Sequence, residues 1–86
     1  MSTHALVLHL AGRAEPLVFA LSDKSAKSLV SRLPVLMGSG GVDSPELADG
    51  RTVAINFGLV ATAHIDDLPV SQEAYGRVKR GTGFGG

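Results

Sequence analysis

The chain contains no cysteine, so no disulfide can staple it, and its stability has to come from packing, a bound ligand or association with another chain. It also lacks an excess of either charge. Eight Lys and Arg balance eight Asp and Glu, which excludes the whole-molecule field that draws a protein to nucleic acid or to an anionic membrane and leaves such a partner only a local patch. Long apolar runs are missing too. The least polar stretch, Val53 to Ala63, is far short of the roughly 18 residues a membrane helix needs and is interrupted by Asn56, so no membrane partner is expected. Met1-Ser2-Thr3-His4 has neither the basic flank nor the apolar stretch of an export signal. Together with the lack of cysteine, this leads to the expectation of a cytoplasmic protein.

What is present is enough for one core. A chain of 86 residues buries only about two thirds of the surface that its unfolded form exposes, which leaves a narrow surplus over chain entropy. Among small sheet proteins the usual way to widen that margin is to cover an exposed edge with another copy, so a homo-oligomer is expected. The expected organisation is a single α+β domain over residues 1–80 followed by a flexible, Gly-rich tail at 81–86.

The apolar periodicity gives the elements. Leu6, Leu8 and Leu10 alternate with Ala5, Val7 and His9, and Leu17, Phe19 and Leu21 alternate with Val18 and Ala20, which predicts a β-hairpin across the polar Gly12-to-Pro16 stretch. Its second face, with Val7, Val18 and Ala20, is less polar than a solvated face usually is. Ser22 reads as an N-cap and Asp23 as a first-turn acid, ahead of Ala26, Leu29, Val30 and Leu33 at helical spacing; Pro34 is expected to stop this helix near Leu33. A connection of about 17 residues follows, with either a loop or a small strand around Glu46-Leu47, and Asp49-Gly50 reads as a turn.

From Val53 the odd positions Ile55, Phe57, Leu59, Ala61, Ala63 and Ile65 continue an apolar series, with Val60 among the even, outer-face positions. A straight strand of this length would span roughly 45 Å in a domain whose radius of gyration is near 12 Å, so a bend, bulge or break is expected at Gly58. The sheet is therefore expected to be antiparallel with three to four strands, completed by one long bent strand or a second hairpin. Val70, Ala74, Tyr75 and Val78 share one side of a short second helix predicted within Ser71 to Arg80.

Few residues are arranged for chemistry. His64 and Asp66 share a strand face two residues apart, with His9 in reach across the sheet, but polar residues on an outer face account for the same pattern, and no metal or cofactor is assigned. No glycine-framed nucleophile turn surrounds a serine, and no catalytic residue is assigned. Gly38-Ser39-Gly40-Gly41 follows a helix rather than a strand and lacks the Lys of a phosphate loop, so it reads as a connector.

The localised signal is C-terminal. Arg77, Lys79 and Arg80 concentrate three of the eight positive charges ahead of a Gly-rich end that carries Phe84, a pattern able to track a phosphate backbone and stack on a base. Arg77, Lys79, Arg80 and Phe84 are thus the candidate contacts to a protein or nucleic-acid partner. The order hairpin, helix, strand with a Gly85-Gly86 end resembles the ubiquitin-like and sulfur-carrier proteins of the β-grasp fold, and that resemblance implies a terminal glycine carboxylate that is activated and then conjugated or thiolated. The expected function is a small non-enzymatic interaction or regulatory module acting as a homo-oligomer. The alternatives are a nucleic-acid-binding protein that uses the tail and a diglycine carrier.

Overall fold

The computed structural model describes residues 3–69 and 72–77. Strands β1 (Thr3–Leu10) and β2 (Leu17–Leu21) form the expected hairpin, with Leu6 opposite Phe19 and Leu8 opposite Leu17. Gly12, at φ 81, supplies the left-handed residue of their connection. Helix α1 (Asp23–Ser39) opens on Ser22, whose Oγ accepts the Ser25 N–H at 3.2 Å and satisfies one of the helix's free donors. It lays Ala26, Leu29 and Leu33 on the sheet.

The helix does not end at Pro34 as the sequence suggests. Pro34 removes the donor that would bond the Val30 carbonyl, yet both residues lie on the exposed side of the helix, where water can take the donor's place. Leu36 and Met37 continue the apolar stripe against the core, so packing carries the helix through the proline. The stop comes at Gly40, in the left-handed conformation at φ 69, whose N–H donates to the Leu36 carbonyl at 2.9 Å.

Two short strands, β3 (Val42–Asp43) and β4 (Ile55–Asn56), then pair antiparallel, and β5 (Val60–Leu68) closes the main sheet in the order β2-β1-β5, all antiparallel. Over the described residues the fold is therefore α+β, with one α-helix, a three-stranded antiparallel sheet and a two-stranded one. Gly58 is where the chain breaks: Asn56 Oδ1 accepts the Gly58 N–H at 2.9 Å, and Phe57–Leu59 form a 3₁₀ turn between β4 and β5. Glu46 and Leu47, the suspected small strand, make single bridges to Thr52 and Leu21.

The break also corrects the expected phase. Val60 is buried in the core rather than set on the outer face, whereas Leu59 is 63% exposed. The 3₁₀ turn shifts the alternation by one residue, and a bulge at Ala61, between the Leu10–Val60 and His9–Thr62 pairs, shifts it back, so Ala63 and Ile65 face the core again. The main core joins Leu6, Leu8, Phe19, Leu21, Leu29 and Phe57 from both layers.

The predicted second helix is absent from the described residues 72–77. Gly76 has φ 80, incompatible with a right-handed helix, and Tyr75 instead bridges to Phe19 in parallel. The remainder of that predicted helix and the 81–86 tail lie outside the described residues.

Candidate interaction surface

The two edges of the main sheet differ. Along β2 and at Ser22 just beyond it, four of the backbone groups that point away from β1 are bonded: the Ser22 N–H donates to Glu46 O at 3.2 Å, Ala48 N–H to Ala20 O at 2.8 Å, Ala20 N–H to Tyr75 O at 2.8 Å and Tyr75 N–H to Val18 O at 2.9 Å. The chain after α1 and the segment around Tyr75 thus close this edge. The Phe19 and Tyr75 rings reinforce the contact with centroids 5.4 Å apart.

These bonds also fix the backbone directions on the other edge. Because Val18 and Ala20 point outward, the residues opposite them, Val7 and Ala5, direct their N–H and C=O away from β2 and toward β5. Their partners His64 and Asp66 are therefore turned inward to β1, and Ala63, Ile65 and Asp67 present their backbone groups to the outside. The Asp67 N–H is taken by Asp66 Oδ1 at 2.8 Å. Among the described residues no strand pairs with this side of β5, a nine-residue element without Pro, Lys or Arg.

The helix covers one face of the sheet. On the other, Ala48 and Ala74 pack over Ala5, Ala20 and Leu68 and make a second, smaller core, while Val7 and Val18 are half-buried beside it. This is the cover that the apolar second face of the hairpin called for. The rest of that face is polar on β5. His64 stacks on His9 with ring centroids 6.4 Å apart and planes 19° from parallel, and Thr62 Oγ1 lies 3.1 Å from His9 Nδ1. His64 and Asp66 do share this face as their spacing predicts, but among the described residues no three ligand-type side chains gather in a metal-holding arrangement.

The C-terminal candidates fare differently from one another. Arg77 is turned onto its own chain, where its Nη1 donates to Pro69 O at 2.8 Å and to Gln72 O at 2.7 Å and so holds the Tyr75 segment in place. Lys79, Arg80 and Phe84, like Gly85 and Gly86, lie outside the described residues. A groove of about 380 Å³ runs between the hairpin loop and this segment, lined by Arg13, Glu15, Glu73 and Tyr75 among others. The Gly38-to-Gly41 stretch serves as a helix end and joint: Gly40 caps α1, and Gly41 O accepts the Phe57 N–H at 2.9 Å. No helix is long and apolar enough to cross a membrane among the described residues.

The open edge of β5 is the surface that sequence reasoning located only in outline. Its signal is the alternation from Thr62 to Asp66 without Pro, Lys or Arg. Periodicity marks a strand and its faces but not which of its two sides is paired. No protein family, no curated protein and no solved structure matches the chain.

Proposed function

We propose that this protein is a small non-enzymatic interaction or regulatory module that acts as a homo-oligomer. The observation that carries the reading is the asymmetry of the sheet: one edge is covered by the chain's own segments, and the other is a nine-residue strand whose outer side has no partner among the described residues. Backbone groups that are unpaired at an edge are satisfied by water at best, and a second strand replaces that water cooperatively. A small domain with no disulfide gains stability from such pairing. The side chains around the edge support recognition, because Thr62, His64 and Asp66 stand exposed on the sheet face beside it.

The test is the mass of the purified chain by sedimentation equilibrium across about 1–100 µM, a span that brackets the affinities of ordinary small interfaces. A mass that is a fixed multiple of the protomer supports the reading. A monomer at every concentration overturns it.

A further inference from the structure

We infer that the partner at the β5 edge is a second copy of the same chain, paired antiparallel through its own β5 about a two-fold axis at Ile65, so that each His64 stands opposite the partner's Asp66. The inference rests on the homo-oligomer reading above and names its surface, its occupant and its register.

Closure is the first argument. With the β2 edge occupied by Glu46, Ala48 and Tyr75, β5 is the edge of the main sheet left open among the described residues, so pairing between copies through it consumes that edge of both and ends at a dimer rather than a fibre. The bulge at Ala61 at one end and Asp67 with Pro69 beyond it at the other confine regular pairing to the stretch between them.

Register is the second. In an antiparallel pair, outward residues face outward residues, so the allowed two-fold axes fall on single residues of β5. An axis on Asp66 sets that carboxylate against its own copy, which is repulsive. An axis on Ile65 matches Ala63 with the partner's Asp67 and Ile65 with its counterpart, for about six backbone hydrogen bonds. The Asp67 N–H then exchanges its local Asp66 oxygen for the partner's Ala63 carbonyl, and this frees the Asp66 carboxylate. On the outer face the freed carboxylate meets the partner's His64, twice by symmetry. On the core face the two half-buried Ile65 side chains meet and complete the cover that each lacks at the rim of its own core. The strand is thus complementary to itself in hydrogen bonding, imidazole to carboxylate, and in apolar surface in this register. An axis on His64 offers only imidazole against imidazole and Thr62 against Asp66.

The experiment is sedimentation equilibrium on four forms of the full chain. The wild type is expected to be a dimer. Ala63→Pro deletes an outward N–H and leaves the β1–β5 ladder untouched, and it is expected to be monomeric with an unchanged far-UV spectrum. His64→Asp is expected to weaken the dimer by about tenfold, and His64→Asp/Asp66→His to restore it, because the exchange keeps an imidazole facing a carboxylate only with the axis on Ile65. Should Ala63→Pro fail to fold, hydrogen exchange of the wild type decides: the Ala63 and Ile65 amides are expected to gain protection as concentration rises. A wild-type monomer overturns both this inference and the reading beneath it. A dimer that survives Ala63→Pro, or whose Ala63 and Ile65 amides exchange freely, overturns the inference alone. A dimer that His64→Asp weakens but the double exchange does not rescue overturns the register.

Discussion

Gly76 and Leu47 approach so closely that a Cβ on the glycine would lie 2.6 Å from both Cβ and Cδ1 of the leucine. The contact is where two stretches distant in sequence are locked together. Leu47 bridges Leu21 on β2, the Asp49 N–H donates to Gly76 O at 3.1 Å, and Tyr75 runs along β2 just before it. The closed edge of the sheet depends on this point, because the chain can pass Leu47 only where it has no side chain.

Gly76→Ala is therefore expected to destabilise the fold by about 1–3 kcal/mol, through a clash with Leu47 and through the strain of a side chain at φ 80. Urea denaturation gives the magnitude. Hydrogen exchange gives the location, since the Ala20 amide, which donates to Tyr75 O, should lose protection before the β1–β5 amides do.

In the helix, neighbouring positions should respond in opposite ways. Leu29 is fully buried between helix and sheet, and Leu29→Ala is expected to cost about 2–5 kcal/mol. Val30, 62% exposed, should tolerate alanine within about 0.5 kcal/mol. Equal losses at the two sites by chemical denaturation would mean that the helix packs on a different face.

Pro34→Ala is expected to stabilise the protein by about 1–3 kcal/mol, because alanine restores the donor to the Val30 carbonyl in the interior of an observed helix. Loss of the proline's rigidity in the unfolded chain offsets part of the gain. A rise in thermal midpoint without a change in helical circular dichroism is the expected result.

The Asp49–Arg51 pair sets a pH dependence. Hydrogen bonds from the Arg51 side chain at 2.8 Å and the Arg51 backbone at 3.0 Å hold the Asp49 carboxyl below its ordinary value. A lowered folded-state value means that the contribution is whole above about pH 4, the unfolded value, and is lost as pH falls through the folded one. Asp49→Asn removes the charge at every pH. The gap in thermal midpoint between wild type and variant should accordingly be widest near neutrality and close on acidification. Added salt should narrow it at any pH, since the pair is solvent-exposed.

Much of this architecture can be read from residue types. Alternation at Leu6-Leu8 and Leu17-Phe19-Leu21 specifies the hairpin, and Ser22 with Asp23 marks the helix start, because each is a local signal decided by local physics. Pro34 misleads because its cost depends on which side of the helix faces water, something set only once the sheet is in place. Tyr75 misleads because helical spacing at Ala74, Tyr75 and Val78 competes with a strand edge whose open hydrogen bonds are not visible in sequence. The same blindness applies to the surface. Arg77 has the residue type of a phosphate contact and directs one guanidinium nitrogen to two carbonyls of its own chain, a use that its residue type does not announce, and the open edge is made of backbone, which carries no residue-type signature.

The core-facing residues from Val53 onward advance in unequal strides: two to Ile55, two to Phe57, three to Val60, three to Ala63, two to Ile65. The two longer strides cancel, so this part of the chain behaves like a message with a reading frame. Exposed letters such as Leu59 and Ala61 can be exchanged freely, yet dropping or adding one between Phe57 and Thr62 would turn either Val60 or the whole outer half of β5 to the wrong side of the sheet. Only a second, compensating change of length nearby would restore the sense of the strand.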